Sequence, residues 1–76
     1  MKVDIRQYTR VIIIKNGKYL VGKDPVMNAL KWSDSPYDAW WTRNADDARK
    51  VSAKIGGAMM LFNPIAYALK EMNAER

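Results

Sequence analysis

The stretch TRVIIIKNGKYLVGK, residues 9–23, decides the fold because it predicts a β-hairpin. Asn16-Gly17 lies between two runs of β-branched and aromatic residues, and a type I′ turn needs positive φ at both of its central positions. A two-residue loop at this point fixes the register of the hairpin. The predicted pairs are Lys15 with Lys18, Ile14 with Tyr19, Ile13 with Leu20, Ile12 with Val21, Val11 with Gly22 and Arg10 with Lys23.

The first strand, extended back towards the N-terminus, has two chemically different faces, because successive side chains of a strand alternate. The odd face is mostly apolar, so we expect it to meet the core; it holds Val3, Ile5, Gln7, Thr9, Val11, Ile13 and Leu20. The even face mixes cations, tyrosines and aliphatic side chains; it holds Lys2, Asp4, Arg6, Tyr8, Arg10, Ile12, Ile14, Tyr19, Val21 and Lys23.

The rest of the chain predicts one more strand, a helix, a strand and a helix. Residues 24–36 contain two prolines and several turn formers, so we expect a loop with at most one helical turn. Residues 37–42 suit a third strand, in which Trp40 and Trp41 point to opposite faces, one towards the core and one outward. Asn44 is the expected N-cap of a helix that ends at Gly56-Gly57 and has one face made of Ala45, Ala48, Val51, Ser52 and Ile55. Residues 58–62 read as a strand, and Asn63-Pro64 as the start of a helix with the stripe Ile65, Ala68, Leu69 and Met72.

This order, β-β-β-α-β-α, predicts a small α+β domain that spans residues 1–76, with a mixed or antiparallel sheet and the helices on one face. A right-handed crossover through the first helix makes the strand at residues 58–62 parallel to the strand at residues 37–42. The sequence has no internal repeat, linker or low-complexity segment.

The composition argues against catalysis and against a cofactor. The 76 residues include no histidine and no cysteine, so the usual general base, the thiolate nucleophile and the strongest transition-metal ligands are missing. Asp46 and Asp47 are better explained by the first turn of a helix than as a metal pair. We therefore expect no enzyme, no metal site and no cofactor. The lack of cysteine, of a signal-like apolar start and of a membrane-spanning run favours a soluble protein in the cytoplasm.

The net charge of +5 is concentrated in residues 1–23, which carry six cations and a single anion, Asp4, whereas the rest of the chain carries seven of each sign. Such a patch attracts phosphates or an acidic protein surface, although lysines on outer strands also prevent aggregation. Trp32, Trp40 and Trp41 lie within ten residues, and exposed tryptophans are typical of binding hot spots and of stacking platforms.

About residues 11–64 hold a run of recurring features, from IIIKNGKYLVG to AWWTRNADDARKVSAKIGGAMMLFNP, which include the strand-to-helix spacing of Ala39 and Ala48 and the Gly-Gly before a strand. In these features the chain resembles short proteins of bacteriophages, prophages and other mobile elements. The resemblance implies an accessory protein that binds or inhibits host machinery, and it supplies no catalytic motif.

Two functions remain. The first is binding to a protein partner or to a second copy of the chain through the even face and an outward tryptophan: Arg6, Tyr8, Arg10, Ile12, Ile14, Tyr19, Val21, Lys23 and Trp41. The second is nucleic-acid binding, with phosphate contacts from Arg6, Arg10, Lys15, Lys18 and Lys23 and stacking by Tyr8, Tyr19 or a tryptophan, although no known nucleic-acid motif is present. We favour protein binding. On this hypothesis the even face stays free of the helices, so Ile12→Asp should abolish association and leave the fold intact.

Overall fold

A computed structural model describes residues 5–74, and the side chains of residues 6–73. Three residues that the sequence assigns to the even and odd faces, Lys2, Val3 and Asp4, therefore lie outside the described residues. Residues 5–74 form an antiparallel sheet, two α-helices and two short 3₁₀ helices. The elements are a 3₁₀ helix Ile5–Tyr8, β1 Arg10–Lys15, β2 Lys18–Lys23, β3 Leu30–Ser33, a 3₁₀ helix Pro36–Asp38, β4 Trp41–Thr42, α1 Ala45–Ile55, β5 Ala58–Phe62 and α2 Pro64–Ala74. The α+β class is confirmed, and the sheet is the antiparallel alternative.

The β1–β2 hairpin has the turn that the sequence predicts. Asn16 and Gly17 have φ angles of 54° and 76°, as a type I′ turn requires. Ile14 pairs with Tyr19, as predicted, and the residues on either side of the turn pair with each other. This end of the hairpin is therefore fixed by local turn chemistry.

Further from the turn, β1 changes its partner, and the predicted register is wrong there. Ile12 pairs with Trp41 and Val11 with Thr42, so β4 takes the place predicted for Val21 and Gly22. The physical reason is a bulge at Val21, which bends β2 away from β1. The gap is closed by the N–H group of Trp40, which donates a hydrogen bond of 2.8 Å to the carbonyl of Leu20.

The expectation of a loop over residues 24–36 is partly wrong, because β3 forms within this segment and pairs with β2. The turn between them is held by Asp24, whose Oδ1 accepts hydrogen bonds from the N–H groups of Val26 and Met27 at 2.8 and 3.1 Å. These two bonds, first that of Met27, lower the pKa of Asp24 below its usual value. Asn28 completes the turn with a φ of 54°.

The predicted strand at residues 37–42 is shortened to β4. Its first residues form a 3₁₀ helix instead, because Ser35 caps the N–H of Tyr37 and Pro36 occupies the first position. Both β4 and β5 run antiparallel to β1, on opposite edges of it. They are therefore parallel to each other, as the crossover predicts, with β1 between them.

Both α-helices begin as predicted, and α1 also ends as predicted. The Oδ1 atom of Asn44 accepts hydrogen bonds from the first turn of α1, and Gly56 ends that helix with a φ of 73°. The Oδ1 atom of Asn63 accepts hydrogen bonds from the N–H groups of Ile65 and Ala66 at 3.0 and 3.1 Å. These caps satisfy backbone donors that a helix leaves unpaired at its start.

The sheet has packed side chains on both of its faces. On the odd face, α1 covers a buried cluster of Ile13, Leu20 and Ala48, with Val11, Trp32, Trp40, Val51 and Ile55 around it. On the even face, Ile12, Ala39 and Phe62 are buried together. Tyr67 of α2 contacts Phe62 with a ring distance of 5.4 Å, and Tyr37 lies 5.5 Å from both rings. The helices thus contact different faces, α1 the odd face and α2 the even face, so the expectation that both lie on one face is wrong.

Candidate protein-binding surface

Ile12 is not available to a partner, which overturns the hypothesis of a free even face. Its side chain is completely buried, and it packs with Ala39 and Phe62 while Tyr19 lies against the same cluster. The cause is the strand exchange described above, because β4 and the 3₁₀ helix that precedes it bring Ala39 and Tyr37 over this face. An aspartate at position 12 would be buried without a partner, so Ile12→Asp should unfold the protein.

The other hairpin residues of the predicted site do not form one surface. Ile14, Tyr19 and Val21 are half-buried. Lys23 is exposed, but it lines a groove on the odd-face side of the sheet together with Leu20. The extra residue in the bulge explains this position, since it reverses the alternation of side chains beyond it. Arg6 and Tyr8 lie in the first 3₁₀ helix and are exposed.

Trp41 is the outward tryptophan, and the guanidinium groups of two arginines lie close to its ring. Its side chain is 40% exposed, whereas Trp40 packs in the odd-face cluster, so the predicted division of the pair is confirmed. The guanidinium carbon of Arg10 is 4.5 Å from the Trp41 ring centroid, and that of Arg43 is 5.4 Å away. We call these three residues the Trp41 cluster.

Backbone pairing sets the geometry of the Trp41 cluster. Trp41 is the cross-strand partner of Ile12, so its ring lies on the even side of the sheet, next to Arg10 on the same strand face. Arg43 follows β4 directly and precedes the α1 N-cap. Cation–π contacts of this kind contribute about 0.5–1 kcal/mol at exposed sites. The cluster is therefore an ordered, positively charged surface with an aromatic centre.

Sequence reasoning found Arg10 and Trp41 but missed Arg43. The available signal was its position, two residues after the outward tryptophan in an extended segment, which places both side chains on the same side. That signal was weak because the sequence did not show that β4 pairs with β1, and only this pairing brings Arg10 to the same ring.

A second concave feature lies between α1 and the β2–β3 hairpin. This groove encloses about 590 Å³ and is mainly apolar, with two lysines at its rim; it is lined by Leu20, Gly22, Lys23, Leu30, Trp40, Val51, Lys54 and Ile55. Its volume is typical of ligand pockets, which run from about 300 to 1,000 Å³. Three of these positions, Leu30, Val51 and Lys54, come from elements that only the tertiary structure places beside Lys23.

Among the described residues there is no group of three or more histidine, cysteine, aspartate or glutamate side chains that could hold a metal ion. Over the same part of the chain, neither helix has the length and apolar character needed to cross a membrane. Comparison of the chain with protein-family models, with curated proteins and with solved structures finds no match.

Proposed function

We propose that this protein is a small, non-enzymatic accessory protein that binds an acidic protein partner through the Trp41 cluster. The observation that carries the proposal is an exposed tryptophan in contact with two guanidinium groups in a chain with a net charge of +5. Tryptophan and arginine are the side chains most enriched in protein-binding hot spots. The resemblance to mobile-element proteins suggests the further role of an inhibitor or adaptor that acts on a host protein.

The Trp41 cluster is suited to carboxylates because its parts are already in place. Arg10 lies on the ring of Trp41 and is half-buried, so it loses little side-chain freedom when it binds. A guanidinium group can donate two parallel hydrogen bonds to one carboxylate. A partner that offers carboxylates on both sides of an apolar side chain would match both arginines and the ring.

Nucleic-acid binding is the alternative, and the structure gives a reason to rank it lower. Two of the five cations proposed to contact phosphates are engaged within the protein. The Nζ atom of Lys15 donates to the carbonyl of Ile55 at 2.9 Å, and that of Lys18 lies 2.7 Å from Asp34 Oδ1. Lys23 lies beside the groove on the other side of the sheet from Arg10. These cations therefore form no single track for a phosphate backbone.

The test is affinity capture from cells of the natural source with immobilised wild-type protein, with Trp41→Ala and with Arg43→Ala. Lys50→Ala is the matched control, because it removes an exposed cation of α1 outside the cluster. We expect one acidic protein to be retained in near-stoichiometric amount by the wild type and by Lys50→Ala, and to be lost from the two cluster variants. Equal capture by all four proteins would contradict the proposal.

The nucleic-acid alternative has its own measurement. Fluorescence polarisation with labelled single- and double-stranded oligonucleotides should show no sub-micromolar complex at about 150 mM salt. A tight complex whose affinity falls steeply with salt and is lost on Arg10→Ala would replace the proposed function with nucleic-acid binding.

A further inference from the structure

The groove between α1 and the β2–β3 hairpin has an apolar interior that the fold leaves open. Leu20 and Trp40, which belong to the odd-face cluster, line it from the sheet. Val51 and Ile55 line it from α1. Leu30 of β3 lines the same groove and is 43% exposed. These five side chains border about 590 Å³ of open space, in which the apolar part of a ligand would be removed from water.

The bulge in β2 contributes to the opening of the groove. Beside the bulge at Val21, Gly22 lines the groove with a φ of 155°, a backbone conformation that favours glycine. A Cβ atom placed at Gly22 would have no other atom within 4 Å, so the protein's own side chains do not fill the space beside it. The same irregularity brings Lys23 to the groove side of the sheet. One feature of the backbone therefore supplies both the open space and one of the cations beside it.

Two lysines give the groove a positive charge. Lys23 and Lys54 are exposed, and no acidic residue is among the residues that line the groove with them. Among the side chains of residues 6–73, neither ammonium group has a hydrogen bond or an ion pair. Lys15, Lys18 and Arg49, in contrast, each lie within 3.0 Å of an acceptor in the protein. The two groove lysines are therefore available to an anion from solution.

We propose that this groove binds a small amphipathic anion, a free molecule with an apolar chain or ring and one carboxylate or phosphate group. The apolar part lies against Leu20, Leu30 and Trp40, and the anionic group lies beside Lys23 and Lys54. Small-molecule sites commonly combine an apolar lining with a few charged groups that orient the ligand. A lysine ammonium group acts as a point charge and pairs with a carboxylate or with a phosphate.

Charge selects an anion over a neutral or a cationic ligand of the same size. The chain carries a net charge of +5, so its field attracts anions and repels cations. A neutral apolar ligand gains nothing from Lys23 or Lys54. An anionic ligand is attracted by both ammonium groups, and the apolar lining strengthens this attraction because it lowers the local dielectric constant.

Size and shape favour a small molecule over a protein or a membrane. Eight residues line the groove, whereas a standard protein interface uses about 20–30 residues from each partner. A membrane is contacted by an apolar surface that inserts into the lipid, but the apolar surface of this groove is concave. The volume of the groove lies within the range of about 300–1,000 Å³ that is typical of small-molecule sites.

The groove is separate from the Trp41 cluster. It lies on the side of the sheet that α1 covers, whereas Trp41 and Arg10 lie on the even side. Ligand binding in the groove and partner binding at the Trp41 cluster are therefore independent, and either can fail without the other.

Titration of the full chain with decanoate, followed by two-dimensional amide NMR, tests the site. Decanol is the neutral analogue with the same chain, and decylammonium is the cationic one. We expect decanoate to bind one molecule per chain and to shift the signals of the Gly22 amide and the Trp40 indole. Decanol should bind at least about fivefold more weakly, and decylammonium more weakly still, because neither is attracted by the lysines. Vesicles of phosphatidylglycerol, which present anionic groups on a membrane, should not retain the protein in a sedimentation assay.

Three variants separate the contributions of charge and of the apolar lining. The double variant Lys23→Gln, Lys54→Gln should weaken decanoate binding about fivefold and leave decanol binding unchanged. Leu30→Ser should weaken the binding of both ligands by a similar factor, because it removes an apolar contact. Lys50→Gln is the matched control, since Lys50 is an exposed cation of α1 that does not line the groove, and it should bind both ligands as the wild type does. Far-ultraviolet circular dichroism should be the same for all four proteins, because the substituted side chains are exposed.

Three results would overturn the proposal. The first is the absence of shifts at Gly22 and Trp40 with decanoate up to about 1 mM, which corresponds to a binding free energy weaker than that of a specific ligand. The second is decanol binding as tight as decanoate binding, together with an unchanged affinity of the double lysine variant, because the groove would then not select an anion. The third is retention of the protein by the vesicles without a response to free decanoate, which would assign the lysines to a membrane surface.

Discussion

The two faces of β1 have different chemistry but the same structural role. Ile13 lies on the odd face in an aliphatic cluster under α1, and Ile12 lies on the even face in a cluster with Phe62 and two tyrosine rings nearby. Both isoleucines are fully buried. A strand face that mixes cations and aromatic residues is therefore not a free surface in this protein. The exposed apolar side chains of the sheet lie at its periphery instead, in the Trp41 cluster and along β5.

The largest expected effect tests whether the two faces of β1 contribute equally to the packed core. Ile12→Ala and Ile13→Ala should each lower the free energy of unfolding by about 2–5 kcal/mol, because each leaves a cavity in a packed cluster. Urea denaturation followed by circular dichroism measures both. A loss below about 1 kcal/mol for Ile12→Ala alone would show that the even face is loosely packed. The two faces of β1 would then not have the same structural role.

A second variant tests how closely the odd face is packed. A Cβ atom at Gly57 would lie 2.8 Å from Cγ2 of the buried Ile13 and 3.1 Å from the carbonyl oxygen of Ile14. Gly57→Ala should therefore destabilise the protein by about 1–3 kcal/mol through overpacking. The denaturation midpoint is the readout, and helix propensity does not contribute because Gly57 lies after the C-cap of α1. An unchanged midpoint for Gly57→Ala would mean that Ile13 can move aside.

The two arginines of the Trp41 cluster should differ in their effect on stability. Arg10 is half-buried and nearer to the ring, so Arg10→Ala should cost about 1 kcal/mol through lost packing and lost cation–π attraction. Arg43 is exposed and more distant, so Arg43→Ala should change stability by less than about 0.5 kcal/mol. Thermal melts of both variants distinguish them. Equal losses would indicate that Arg43 is also part of the packed even face.

The smallest expected effect concerns the turn between β2 and β3. The pKa of Asp24 is lowered in the folded state, so its charge stabilises the fold at pH values above its unfolded pKa, and this contribution is lost as the pH falls through the folded value. Asp24→Asn should therefore be slightly less stable than the wild type near neutral pH, and the difference should vanish in acid. Chemical denaturation at a series of pH values measures it; a constant difference would assign the effect to hydrogen-bond geometry instead of charge.

Much of the fold could be predicted because its signals are local. Asn16-Gly17 specifies its turn through φ, and Asn44 and Asn63 specify helix starts through side-chain acceptors. The partners of β1 were not predicted, since they depend on a bulge at Val21, for which the strand glycine Gly22, with a φ of 155°, is only an indirect signal. β3 was missed because its four residues lie between turn formers that dominate the local pattern.

The candidate site was predicted less well than the fold, and for the same reason. Arg10 and Trp41 were singled out individually, but their contact requires β4 to replace β2 beside β1. Once this exchange occurs, Ile12 becomes core and Lys23 moves to the other side of the sheet. A single inserted residue in one strand thus rearranged most of the predicted surface.

The most direct test of the account is the affinity of the captured partner for wild-type protein, Trp41→Ala and Lys50→Ala, measured by isothermal titration calorimetry at physiological salt. Truncation of a central hot-spot tryptophan costs at least about 2 kcal/mol, so we expect Kd to rise at least about 30-fold for Trp41→Ala and to change less than about threefold for Lys50→Ala. All three proteins should unfold cooperatively, which separates binding from folding. A Trp41→Ala variant that is folded and binds as tightly as the wild type would contradict the claim that the Trp41 cluster is the binding surface.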